Sequence, residues 1–136
     1  MRHLGRVLVY LATAVACVSV WGAEQTRERD PLWVAPPGHA AKVNPLTSVR
    51  HAVAGGEKIF RQRCSNCHGD DGRGTSKAPD LTESDVQAQS DGALFWKITS
   101  GNTHGGMPAF SFLPEPQRWQ LVLEIRSLGI PRPIVR

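Results

Sequence analysis

Cys64-Ser65-Asn66-Cys67-His68 constrains this chain more than any other feature. A C-x-x-C-H run is an attachment signature for c-type haem. Two thiols at this spacing can add across the two vinyl groups of the porphyrin, and the adjoining imidazole can turn beneath it and bind iron. Five residues therefore imply one covalent haem c, held through Cys64 and Cys67, and one axial ligand, His68. Two other chemistries use paired cysteines. A structural zinc site wants four ligands, usually as a second close pair of Cys or His. The only further cysteine is Cys17, in the N-terminal apolar run, and no second pair exists. A redox dithiol belongs in a βαβ pattern, and no strand-rich pattern is present.

Residues 1–6 are short and basic, and residues 7–23 carry no charge. That is the outline of a bacterial secretory signal, with small residues at Ala14-Val15-Ala16 and at Gly22-Ala23 for cleavage. A retained membrane anchor is the competing reading, since 17 uncharged residues stand at the lower edge of a bilayer span. Ala14-Val15-Ala16-Cys17 also resembles a lipobox, although Leu is missing three residues before the cysteine; an ordinary small residue in a discarded signal is preferred. Export places the chain in the periplasm, soluble or tethered to the membrane, where c-type haem is attached. No disulfide is needed there, because the haem staples a small domain in its place.

The chain has 16 basic and 12 acidic residues. Loss of residues 1–23 removes Arg2 and Arg6 and no acid, leaving fourteen against twelve, a net charge of +2. Two haem propionates bring that near zero. Nothing here has the basic clustering of a nucleic-acid partner.

Residues 24–50 hold four prolines and little apolar periodicity, and are expected to form a poorly structured leader. Trp33 stands out in it, either packing loosely on the domain or forming part of a docking strip for a partner. Residues 51–130 form the domain and 131–136 a tail. Three helices are expected. Ala52–Arg63 has Val53, Ile59 and Phe60 as apolar positions, and its Gly55-Gly56 pair signals a frayed start or a close helix contact. Asp91–Ser100 is expected to be capped by Asp91 and ended by Gly101, with Leu94, Phe95 and Ile98 sharing a face. Glu115–Leu128 has Pro116 in its first turn and Gly129 beyond its end, and is apolar around most of its girth.

Methionine is nearly absent. Only Met1 and Met107 occur, and Met1 leaves with a cleaved signal. Met107 lies 39 residues after His68 in the loop Gly105-Gly106-Met107-Pro108. It is the expected sixth ligand, making His68 and Met107 the metal ligands. A thioether opposite imidazole raises the potential. His104 is a weaker rival, and His39 and His51 precede the haem motif.

Together these residues resemble a class I, single-haem bacterial cytochrome c domain, over residues 52–129. The likeness rests on Gly56-Glu57-Lys58-Ile59-Phe60, Cys64-Ser65-Asn66-Cys67-His68-Gly69, Gly72-Arg73-Gly74, Ala78-Pro79-Asp80-Leu81, Phe95-Trp96-Lys97-Ile98, Gly106-Met107-Pro108-Ala109-Phe110 and Trp119. The resemblance implies an all-α fold of three to five helices wrapped around one covalent haem. It implies that Gly56 and Phe60 meet the last helix near Trp119. It implies that the Pro79 carbonyl accepts a hydrogen bond from His68. It implies a haem pocket lined by Leu81, Phe95, Trp96, Ile98 and Phe110, with the Trp96 indole N–H able to reach a propionate.

The expected function is one-electron transfer with redox partner proteins, as a periplasmic carrier or as the cytochrome subunit of a respiratory or dehydrogenase complex in the membrane. A haem enzyme such as a peroxidase, or a ligand sensor, needs an open sixth position or further domains, and both fit this chain less well.

Overall fold

The structure is a computed structural model and describes residues 30–131. The expected signal or anchor (residues 1–23), Cys17 and the start of the leader lie outside the described residues, as does the end of the tail.

Six helical segments follow in order: α1 Pro37–Ala40, α2 Ala52–Arg63, α3 Ser65–His68, α4 Ser84–Gln87, α5 Asp91–Ser100 and α6 Glu115–Leu128. The expectation of an all-α fold is borne out. Three segments are long, and α1, α3 and α4 are single four-residue turns that amphipathic periodicity cannot reveal. No strand forms among the described residues, only two isolated bridges, Thr75 with Ala78 and Asn102 with Met107.

The frame is the crossing of α2 on α6. Gly56 is buried, and a Cβ built there would sit 2.1 Å from the Gln120 carbonyl oxygen. The glycine therefore marks a close approach of two backbones, and the frayed-start reading falls away. Phe60 and Trp119 flank the crossing, 2 % and 3 % exposed, and Phe95 of α5 stacks on Trp119 with ring centroids 4.0 Å apart. Leu94, Ile98, Phe110, Leu113, Leu121, Val122, Ile125 and Leu128 complete one contiguous core. Full burial of each such side chain stabilises by roughly 1.5–3 kcal/mol.

Two expectations need correction. The N-cap of α5 is Ser90, not Asp91: Ser90 has extended backbone, and its hydroxyl accepts from the Ala93 N–H. Asp91 is the first helical residue, and its carboxylate accepts from Arg126 Nε at 2.9 Å. That guanidinium also donates to the carbonyls of Gln87 and Gln89, so α6 ties down the connection between α4 and α5.

The second correction concerns the leader. Residues 30–50 are seated on the domain. Asn44 is 1 % exposed and donates from Nδ2 to the Trp119 carbonyl at 3.1 Å. The Ser90 hydroxyl donates to the Ala40 carbonyl at 2.6 Å. A Cβ on Gly92 would meet the His39 carbonyl oxygen at 2.2 Å, so α5 needs glycine where α1 crosses it. Prolines report only the absence of regular structure, and this segment, with one four-residue helical turn, is held by individual polar ties.

Candidate haem site

Cys64 closes α2, its N–H donating to the Phe60 carbonyl at 2.8 Å, and at once opens α3. The chain thus bends at the first thiol, and one helical turn later carries Cys67 and His68. Both cysteines are free and half-buried. Burial pushes the Cys64 thiol up to about 12, with the neighbouring Cys67 adding to the effect. A reactive redox dithiol needs the opposite shift, towards a stabilised thiolate. No cluster of three or more potential His, Cys, Asp or Glu metal ligands occurs among the described residues.

His68 is aimed by its own loop. Its Nδ1 lies 3.0 Å from the Pro79 carbonyl oxygen. A carbonyl only accepts, so Nδ1 carries the proton and Nε2 keeps the lone pair. Burial lowers the His68 pKa, opposed in part by the bond to Pro79, and so favours the neutral ring that a metal needs. The loop is pinned beneath the ring by Gly74 N–H to the His68 carbonyl (2.8 Å), Thr75 Oγ1 to the Cys67 carbonyl (2.5 Å) and Leu81 N–H to the Gly72 carbonyl (2.7 Å). Gly74 has φ +82°, and a Cβ there would come within 2.8 Å of the Pro79 carbonyl carbon, so glycine lets the loop fold tightly enough to present that carbonyl.

Met107 sits in the loop between α5 and α6. Gly101 ends α5 at φ +65°, and Asn102 and Met107 exchange both backbone hydrogen bonds, at 2.9 and 2.8 Å. Asn102 Oδ1 accepts from the Gly105 N–H, closing the loop from inside. Phe110 returns to the core, donating to the Ile98 carbonyl at 3.0 Å. Met107 is half-buried, and His104 is exposed at the loop tip.

The remaining expected residues separate into groups. Phe95, Ile98 and Phe110 are buried members of the apolar core, and Cys64, Leu81 and Met107 pack partly buried against that same cluster. Trp96 is half-buried outside the cluster. It borders a cleft of about 300 Å³ between the leader, α5 and α6, with His39, Lys42, Glu115 and Arg118. Sequence reasoning missed Gln87, whose amide donates to the carbonyls of both Leu81 and Ile125 and so ties the His68 loop to α6. It also missed the purchase of Trp33 on the Met107 loop, where its indole N–H donates to the Gly101 carbonyl at 2.9 Å.

The residues present fit haem. Two free thiols stand one helical turn apart, a neutral imidazole is tautomerically set with Nε2 available, and Cys64 packs with Leu81 and Met107 against one apolar cluster.

Fold and site together define a c-type cytochrome domain, with covalent haem c held at Cys64 and Cys67 beside His68, that serves in electron transfer. Residues 51–123 match the family model of cytochrome c oxidase, cbb3-type, subunit III, and the chain belongs to that family. It is 37 % identical over 86 residues to the cbb3-type cytochrome c oxidase subunit FixP of Bradyrhizobium diazoefficiens, an alignment covering 61 % of this chain. The chain spans 30 % of the length of that relative. Among solved structures it is similar in fold to cytochrome cL of the marine methylotroph Methylophaga aminisulfidivorans, with TM-score 0.53 and 24 % identity over 61 % of this chain and 59 % of that one.

Proposed function

We propose that this domain is a single-haem electron-transfer module with His68 and Met107 as axial ligands, acting in the periplasm as the cytochrome subunit of a membrane oxidoreductase complex. The observation that carries the reading is the Met107 loop. It is closed on itself by the paired bonds to Asn102, and it sets a thioether against the same apolar cluster as Cys64 and Leu81.

Each residue then has a task. Cys64 and Cys67 would anchor the group through thioethers. Pro79 holds the His68 ring and strengthens its basicity through Nδ1–H. Leu81, Ile98 and Phe110 exclude water, and Phe95 supports them by stacking on Trp119. Trp96 is assigned the rim, where its indole can donate to a propionate. When bound, the haem supplies a reversible one-electron couple at iron. Met107 closes the position that substrate chemistry would need, so the domain itself is assigned no catalysis, and donor and acceptor proteins meet it at the edge carrying the thioethers.

The subunit assignment is supported by membership of the subunit III family and the likeness to FixP. No helix of the described residues is long and apolar enough to cross a membrane; residues 1–23 are assigned as an export signal, and a retained anchor or a lipidated Cys17 would instead tether the domain. The test is spectroscopic. Ferric holoprotein should show the long-wavelength sulfur-to-iron charge-transfer band, and ferrous protein should bind carbon monoxide poorly at neutral pH. Met107→Ala should abolish the band and open the iron to carbon monoxide. A band that survives the substitution refutes the ligand assignment.

A further inference from the structure

The leader touches the ligand loop at two points. Trp33 Nε1 donates to the Gly101 carbonyl at 2.9 Å, across 68 residues of sequence. Asn102 Nδ2 donates to Asp30 Oδ2 at 3.3 Å, across 72 residues. Both contacts fall on the two residues where the Met107 loop begins. Asn102 is the knot of that loop: its backbone pairs with Met107 in both directions, its Oδ1 holds Gly105, and its Nδ2 reaches the leader. Gly101 has a left-handed backbone, and a Cβ on it would lie 2.6 Å from Ala109 N, so loop start and loop end are in close approach there. Fixing the Gly101 carbonyl therefore constrains both strands of the loop.

The leader is itself anchored well enough to act as a brace. Lys97 Nζ lies 4.6 Å above the Trp33 ring, which pins the indole to α5. The ties further along, Asn44 to the Trp119 carbonyl and the Ser90 hydroxyl to the Ala40 carbonyl, hold the rest of the leader and are separate from the Asp30–Trp33 turn. Within the leader, the Asp30 carboxylate also caps the Leu32 N–H at 2.9 Å, fixing the turn that delivers Trp33.

We infer that Asp30 and Trp33 are positioning residues for the sixth ligand: the leader braces the start of the Met107 loop and so holds the thioether on the iron. This rests on the reading of Met107 as a ligand. An exogenous base competes with that thioether for ferric iron, and its apparent affinity reads how firmly the loop holds its methionine in place. A merely structural role would lower the melting temperature and leave this competition unchanged.

The experiment titrates imidazole into ferric holoprotein while following the sulfur-to-iron band. Trp33→Phe keeps a ring beneath Lys97 and deletes the N–H. It should raise imidazole affinity about fivefold, the equivalent of one net hydrogen bond of ~1 kcal/mol. Asp30→Ala, at an exposed site, should shift it in the same direction by less. Asn44→Ala, which breaks the leader's tie to α6, is the control; it should lower the melting temperature with imidazole affinity within twofold of the parent. Unchanged affinity in both Trp33→Phe and Asp30→Ala overturns the brace, as does an equal rise in all three variants. The two readings fail differently. If the parent shows no sulfur band, or Met107→Ala leaves band and imidazole affinity unchanged, the ligand assignment falls and the brace falls with it. If Met107→Ala behaves as a ligand loss while the leader variants match the parent, only the brace is wrong.

Discussion

The His68 loop and the Met107 loop, to which we assign the two iron ligands, differ in how their key residues are held. The bonds that aim His68 are local. Pro79, Gly74 and Thr75 lie within 11 residues of His68 or Cys67, and their contacts arise as the chain turns back on itself. The Met107 loop closes on itself through Asn102, yet its starting residues are also gripped by Asp30 and Trp33, far away in sequence. The difference has a chemical counterpart. A covalently attached haem needs its imidazole placed by the motif itself, whereas a thioether is a weak ligand whose occupancy depends on how firmly its loop is supported. On the proposed ligation, bonds near in sequence place the imidazole, and bonds from far along the chain support the thioether.

The largest effect tests that asymmetry directly. His68→Ala removes the ligand that belongs to the attachment motif, and haem-stained gels of cells expressing a c-haem attachment system should show almost no holoprotein. Met107→Ala should still yield covalent haem protein, changed in spectrum and lowered in potential, because the thioether that favours ferrous iron is gone. Equal loss of holoprotein in both variants would erase the distinction between the two sides.

Gly74→Ala comes next. It places a side chain at φ +82°, with its Cβ 2.7 Å from Asp80 N and 2.8 Å from the Pro79 carbonyl carbon. Left-handed backbone costs an L-residue roughly 1–2 kcal/mol, and relieving the contact adds to it. Denaturant titration of the holoprotein should show a loss of about 2 kcal/mol. Moving the Pro79 carbonyl away weakens the Nδ1 hydrogen bond and leaves His68 a poorer donor. The potential should therefore rise, opposite in sign to Met107→Ala. A fall on voltammetry would contradict the role given to Pro79.

The same asymmetry decided what could be read from the sequence. The C-x-x-C-H run and the bounds of α2, α5 and α6 were legible, because capping, helix stops and apolar periodicity are short-range signals. Gly56 was legible as one of two alternatives, and the crossing at Gln120 chose between them. The contacts of the leader were not legible. Trp33, Asn44 and Asp30 act through single polar atoms on carbonyls or amides roughly 70 residues distant, which leave no pattern in composition. Gly92 offered one signal. A glycine at the second position of α5 is a poor helix former with no capping use there, and its purpose is the close approach of α1. Asp91 was given the cap because aspartate is a good N-cap residue, but its carboxylate is engaged by Arg126 and the adjacent Ser90 took the place. The expectation that Trp96 lines the haem pocket came from resemblance alone, and neither its half-buried position nor its cleft beside Arg118 was visible in spacing.

The smallest effect sharpens the comparison most. Thr75 Oγ1 donates to the Cys67 carbonyl at 2.5 Å and accepts from the Lys77 N–H at 3.0 Å. Thr75→Val keeps the shape and removes the hydroxyl. The residue is exposed, so water replaces part of what is lost, and the net cost should be about 1 kcal/mol in a denaturant melt. Trp33→Phe removes a hydrogen bond of similar worth on the other side. The two variants should therefore match in stability and part in imidazole competition, with Thr75→Val at the parent's affinity and Trp33→Phe about fivefold tighter. If Thr75→Val also loosens the sixth ligand, the two loops are coupled through the core, and support for the thioether is a property of the whole domain.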